Sequence, residues 1–314
     1  MNKLARVTLL GPQRFEPNVA DVFKQASFCG RTAVITAGWQ EREEEINELA
    51  EHLNLDVTNL NLYRRAERVF NAEPDFHHAY SERQNMLLRL QRIYRMRLEK
   101  LLDVARRFLK RSEDPDLMDL ERESAIADVR RLDEHHLSRI REIHASFNQV
   151  WKRDKLPGLQ AETEAVARDL HDCDALCIAG GHVAILLNRM RMFNIAQAAD
   201  GLPIVAWSAG AMAISERIVL FHDSPPQGAG NAELLESGLG LHRGLIALPH
   251  ADQRLRLDDP IRVSLFARRF HTSLCVALDA GAVVHWDGTN WHTALAARAL
   301  TQDGQTQPLE LACP

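Results

Sequence analysis

Residues 203–207 of this 314-residue chain read Pro-Ile-Val-Ala-Trp, an apolar run that stops at Ser208 and gives way at once to Ala209-Gly210-Ala211 and a small-residue helical pattern. A buried strand that turns straight into a helix needs small side chains at the corner, because larger ones collide there. Ala206, Ala209, Gly210 and Ala211 meet that need. The turn lifts the Ser208 hydroxyl off the end of a sheet and leaves the following N–H free to meet a developing oxyanion. Such a corner is a nucleophile elbow, here with Ala206 two residues before the serine where glycine is usual.

A strand feeding a helix in this way belongs to a mostly parallel, doubly wound α/β sheet, and the chain repeats the pattern on both sides of the elbow. Residues 7–10, 32–36 and 55–62 read as strands, with an acidic helix start at 41–45. After residue 160 the alternation continues as helix 160–170, strand 175–178, helix 182–193, strand 203–207 and helix 209–215. Later apolar segments, 244–248, 274–278, 282–286 and 291–294, lie closer together. They predict a more antiparallel end to the sheet, with Asp287-Gly288 as a hairpin turn.

Residues 80–152 follow a different period. Leu87, Leu90, Tyr94, Leu98, Leu101, Ala105 and Phe108 recur at helical spacing, and Val129, Leu132, His136, Ile140, Ile143, Phe147 and Val150 repeat it. Two long helices meeting near residues 112–116, where Pro115 interrupts the pattern, form an inserted antiparallel hairpin. Residues 82–111 hold ten Lys/Arg against three Asp/Glu, and residues 113–142 hold ten Asp/Glu against five Arg, so opposite charges favour pairing the two helices. The expected division is a catalytic α/β domain at 1–75 and 156–314, with the hairpin at 76–155. The hairpin is open to three readings: a cap on the sheet, a homo-oligomerisation arm, or an arm for a separate partner.

Composition removes other classes. A net charge of −5 gives no general electrostatic basis for nucleic-acid binding. No uncharged apolar stretch reaches the roughly 18 residues of a membrane span, and the amino terminus reads as a first strand rather than a signal peptide. The five cysteines are scattered without a C-x-x-C pair, which suits reduced thiols and a cytoplasmic location. His77-His78 and His135-His136 are adjacent on helices and point apart, so neither pair chelates; no metal or other cofactor is expected.

Open α/β sheets place their sites at the carboxyl ends of the strands. Ala179-Gly180-Gly181-His182 follows one strand, and its glycines let the backbone approach a ligand, with Gly181 a second oxyanion donor beside Ala209; a plain strand-to-helix turn is the alternative. His250 ends the apolar run 244–248 and is singled out among fourteen histidines by position alone. Asp223, in Phe221-His222-Asp223, is a carboxylate that either orients the imidazole or caps the Pro225-Pro226 turn. Arg254, Arg256 and Arg262 are open to binding a carboxylate or to lying on a helix surface.

Together these segments resemble the dipeptidase E and cyanophycinase family of serine hydrolases, built on the class I glutamine amidotransferase-like fold. The similarity is loose over residues 1–60 and good over about 172–290, carried by GGHVAILL, WSAGAMAIS, Gly238-Leu239-Gly240-Leu241 and the His250 strand end. The resemblance implies a serine-type peptidase acting on a peptide or small amide through an acyl-enzyme. It makes Ser208 the nucleophile, His250 the general base, and Gly181 with Ala209 the oxyanion hole. The dipeptidase E branch carries its acid fifteen residues after the serine, where this chain has Asp223. Departures are Ala206 for glycine, His182 where Asn or Asp is common, and Ala280 where the cyanophycinase branch has its glutamate, which leaves Asp279 as a reserve acid. Glutamine amidotransferases use an elbow cysteine, and none of the five stands there. A non-catalytic binding or scaffold protein on the same fold is the remaining alternative.

Overall fold

The four strands β1 (Val7–Leu10), β2 (Thr32–Ile35), β4 (Ala175–Ile178) and β5 (Ile204–Trp207) are buried at every position. Continuous aliphatic runs of this kind suit a parallel sheet covered on both faces. The computed structural model describes residues 6–111, 114–221 and 230–309. The first half of the chain adds α1 (Val19–Gln25), α2 (Asn47–Leu53), β3 (Val57–Asn59) and α3 (Leu62–Ala72), followed by the long helices α4 (Pro74–Lys110) and α5 (Pro115–Val150). Then come α6 (Pro157–His171), α7 (Val183–Met192), α8 (Ile195–Ala198) and α9 (Ala209–Ala213) around β4 and β5. The remainder is β6 (Ile218–Leu220), β7 (Glu233–Glu236), β8 (Leu245–Pro249), α10 (Ala251–Arg254), α11 (Pro260–Arg269), β9 (Leu274–Leu278), β10 (Val283–Trp286), β11 (Trp291–Leu295), β12 (Arg298–Leu300) and β13 (Thr306–Pro308).

The main sheet runs β11-β10-β1-β5-β4-β2-β3, parallel from β1 to β3 and antiparallel at β10 and β11. The Asp287-Gly288 hairpin forms as expected, since the side chain of Asp287 accepts the N–H groups of Thr289 and Asn290 and closes the turn. The other two late strands depart from the expected antiparallel end. β8 and β9 pair in parallel, in a separate sheet ordered β13-β12-β9-β8. Parallel neighbours need a crossover, and α11 supplies it: Asp259 caps the helix by accepting from the N–H groups of Ile261 and Arg262, and Pro260 sits in its first turn.

The hairpin forms, with α4 and α5 packed along each other. The helices pair as expected, although opposite charge is not what joins them: among the described residues no ion pair links α4 to α5. Their seam is apolar, built on Leu98, Leu102, Ala105, Ile126, Val129 and Leu132, and its polar members are hydrogen bonds. The Tyr94 hydroxyl donates to Asp133 at 2.8 Å, and the His136 ring stacks on Tyr94 at 4.1 Å while bonding Gln91. The same cluster fixes the hairpin to the α/β body, because Arg269 of α11 makes two 2.7 Å bonds to the Asp133 carboxylate, and the Leu234 N–H of β7 donates to Tyr94. On the solvent side of α4, Arg95 pairs with Glu233 of β7 on the body rather than with a carboxylate of α5.

Among the described residues no helix is long and apolar enough to cross a membrane. Cys173, Cys177 and Cys275 are buried free thiols and Cys29 is exposed.

Candidate active site

Three parallel strand ends converge at one edge of the main sheet. β2, β4 and β5 are in register, Ile35 beside Ile178 and Ile178 beside Ala206, so the loops that follow them lie side by side. Ser208 occupies the turn from β5 into α9 at φ 52°, ψ −123°. A non-glycine residue at positive φ outside the left-handed helical basin is strained, and strain of this kind is characteristic of sites where a side chain is held for chemistry. Ser208 is half-buried and reachable from solvent. Ala206, the departure from the usual glycine, is fully buried and fits without disturbing β5.

The glycine pair packs directly on this turn. A Cβ placed on Gly180 would lie 2.9 Å from the Cβ of Ser208. Gly181 has φ +118°, a conformation that L side chains rarely adopt, and its Cα abuts Gly38 of the loop after β2. The Gly38 carbonyl in turn accepts the N–H of His182 at 2.8 Å. The N–H groups of Gly181 and Ala209 have no protein acceptor among the described residues, the condition an oxyanion site requires. His182 is exposed and caps α7, its ring accepting from the Ile185 N–H.

His250 stands immediately after β8 in the left-handed region, φ 57° and ψ 36°. The elbow helix α9 packs against β8, so the strand that carries the histidine lies beside the helix that follows the serine. The His250 ring is half-buried. Burial pushes its pKa below the ordinary histidine value, the Arg254 cation adds to that shift, and the charge of Asp279 opposes it. Asp279 directly follows β9 as His250 follows β8, and it accepts from the Asp252 N–H at 2.9 Å and from Arg298. Burial and the neighbouring Asp279 carboxylate raise the pKa of Asp252. Gly11, at the end of β1, abuts the Asp279 backbone so closely that a Cβ there would fall 1.8 Å from its carbonyl oxygen. Asp223 lies outside the described residues. Of the three arginines, Arg254 acts on His250, and Arg262 donates from α11 to the Gly230 carbonyl.

A family model, Peptidase family S51, matches residues 126–294, more than half of the chain, from within α5 into β11. The chain belongs to this family. As an S51 member it is a peptidase, serine-type at the level of the family. Two solved structures are similar to this S51 chain. A peptidase from an acI-B1 Actinobacterium has a TM-score of 0.48 and 11% identity, covering 98% of this chain and 95% of its own. A protein of Listeria monocytogenes EGD-e named for peptidase E has a TM-score of 0.44 and 13% identity, covering 93% of this chain and 98% of its own. No curated protein sequence matches.

The loop from Thr36 to Glu43 has no signal in the sequence that ties it to the site. Gln40, inside this loop, has φ 59° and ψ −122°, nearly the backbone conformation of Ser208. Its link to the elbow runs through Gly38, Gly181 and Gly180, contacts between segments about 140 residues apart that no local pattern announces.

Proposed function

We propose that this S51 member is a dipeptidase E-like serine peptidase in which Ser208 is the nucleophile. His250 takes the hydroxyl proton as Ser208 attacks a scissile amide. The N–H groups of Gly181 and Ala209 hold the tetrahedral oxyanion, and His250 then returns the proton to the leaving amine. Water then attacks the acyl-enzyme carbonyl as His250 takes its proton, and His250 passes that proton to the Ser208 oxygen as the ester bond breaks and the carboxylic acid product leaves. An acid stabilises the imidazolium formed at each stage. The spacing shared with dipeptidase E supports Asp223 in that role, and the electrostatic reach of Asp279 to His250 supports Asp279. The substrate is a peptide or small amide.

The observation that carries this reading is the strained turn at Ser208, held between β5 and α9 with Gly180 packed on its Cβ. Ser208→Ala tests it. The variant is expected to lose peptide hydrolysis and covalent labelling by a serine-directed phosphonate while its circular dichroism and melting temperature stay near those of the parent. Hydrolysis at the parent rate would remove Ser208 from the mechanism. Parallel Asp223→Asn and Asp279→Asn variants assign the acid, as the larger drop in kcat identifies it.

A further inference from the structure

The hairpin carries an apolar seam that the described residues do not cover. On α4, Met86, Ile93, Met96 and Val104 are 48, 52, 63 and 44% exposed, although each is a residue type that belongs inside. They lie on the face opposite the buried Tyr94, Leu98 and Ala105. Met86, Ile93 and Met96 are spaced seven and three apart, the a-a-d spacing of a heptad, so they form a second helix-packing seam on the outer side of α4. At the other side of the hairpin tip, Leu117 and Leu120 of α5 are 55 and 72% exposed.

The charges around these patches are unspent. Arg89, Arg92 and Arg97 flank the α4 seam, exposed and without a carboxylate partner among the described residues. Asp116 and Glu121 flank Leu117 and Leu120, exposed and without a cation partner among the described residues. One helix is basic where the other is acidic, yet they do not neutralise each other, because each turns its charged face outward. The complement of the basic apolar seam is thus present on the same molecule, in a place the seam cannot reach.

We propose that a second copy of this chain covers the seam, giving a two-fold dimer through the hairpins. A two-fold axis crossing α4 between Met96 and Val104 sets the helix antiparallel to its copy. At 1.5 Å per residue, Ile93 then lies about 10 Å from the axis, and the same distance on the other side falls at the tip of the copy, where α5 starts. Arg89, Arg92 and Ile93 of one protomer meet Asp116, Leu117 and Glu121 of the other. The symmetry makes each contact twice, so one set of complementary residues closes the assembly without leaving a patch for further addition.

Sedimentation velocity on the full chain at micromolar concentrations tests this. The expected result is a reversible dimer whose dissociation constant rises at least about tenfold on moving from low to high salt, since exposed charge pairs are screened. Ile93→Glu with Met96→Glu is expected to give a monomer with the parent's melting temperature and peptidase activity, both residues being solvent-facing and remote from Ser208. The decisive arm is a charge exchange. A chain with Arg89→Glu and Arg92→Glu, and another with Asp116→Lys and Glu121→Lys, are each expected to stay monomeric alone and to form a heterodimer when mixed, because both copies of the contact then regain opposite signs. A parent chain that is monomeric throughout, or that instead binds only anionic lipid vesicles, overturns the proposal. So does a dimer that survives the apolar and the charge substitutions, or a mixture that fails to associate.

Discussion

Gly180 and Ser208 touch across two neighbouring strand ends: a methyl group added to Gly180 would sit 2.9 Å from the Cβ of Ser208 and 3.5 Å from its hydroxyl oxygen. Neither group can retreat, since the serine is fixed by its strained turn and the glycine, just past β4, is packed against Gly38 on its other side. Gly180→Ala therefore displaces the hydroxyl rather than being absorbed. A displacement near 1 Å costs about 10²-fold in rate, so kcat/KM for the best peptide substrate is expected to fall by about that factor, with phosphonate labelling slowed in proportion. Full activity in a folded Gly180→Ala chain would show that the glycine is not part of the site.

The environment of His250 sets the acidic limb of the rate profile. Its pKa is held down by burial and by Arg254, and partly restored by Asp279. A general base must be neutral, so kcat/KM is expected to be level at neutral pH and to fall only below the ordinary histidine value. Removing the cation in Arg254→Gln raises the pKa and moves the limb to higher pH. Removing the anion in Asp279→Asn moves it to lower pH. Limbs that shift the same way, or not at all, would mean that the titrating group is not His250.

Much of this site could be read from local pattern. The elbow announces itself because strand, corner and helix are contiguous, and small residues at 206, 209, 210 and 211 have no other common use at such a junction. The Asp287-Gly288 hairpin and the two long helices are legible for the same reason, since turn chemistry and helical periodicity are short-range. The separate sheet of β8 and β9 was not, although the Asp259-Pro260 helix start that forces a parallel crossover was available as a signal. The pairing of α4 with α5 by charge was a compositional expectation. The helices do pair, but through an apolar seam, because side-chain direction, which composition does not carry, sends Arg95 to Glu233 and Asp133 to Arg269. The Gly38 contact with the glycine pair depends on strand order and has no local trace.

Arg269 and Asp133 form a bidentate pair with side chains 1 and 5% exposed, and it joins α11 to the hairpin. Removing one member of such a pair leaves a buried charge without compensation, at a cost of about 3–5 kcal/mol. Arg269→Ala is expected to lose that much in urea denaturation. Replacing both, as Arg269→Met with Asp133→Leu, removes the charges together and recovers part of the loss. A single-variant loss below about 1 kcal/mol would mean that the hairpin is not secured here.

His242 is 1% exposed and meets the edge of Trp291, and neither ring nitrogen has a hydrogen-bond partner among the described residues. The Ala211 backbone is near enough to act on the ring but not placed to bond it. Burial lowers the pKa from 6.5 to about 3. The folded state therefore holds the ring neutral while the unfolded chain protonates it below 6.5, so titration of this group costs nothing above that pH and lowers stability progressively as pH falls toward 3. His242→Leu removes both the unpaired nitrogens and the proton uptake. It is expected to raise stability by about 1–3 kcal/mol at neutral pH and by more at pH near 4. A melting temperature that drops at both pH values would show that the imidazole makes a contact the chain needs.

Gln40 repeats the strained backbone of Ser208 without an elbow's reason for it. Its loop is pinned from both sides: the Thr36 hydroxyl donates to the Glu43 carbonyl, and the buried Glu43 carboxylate accepts the N–H groups of Tyr63 and Arg64 at the start of α3. Between those anchors the chain must turn so that Gly38 meets the glycine pair, and Gln40 absorbs the turn. Residues held in such regions cost about 1–3 kcal/mol, a cost glycine does not bear, although glycine gives back about 0.5–1 kcal/mol in chain entropy. Gln40→Gly is thus expected to raise the melting temperature slightly while loosening the loop that supports Gly180 and Gly181, so that kcat/KM falls as stability rises. If the variant instead melts lower, the strain at Gln40 is relieved by its own side chain, and the loop is not held in tension by the site it supports.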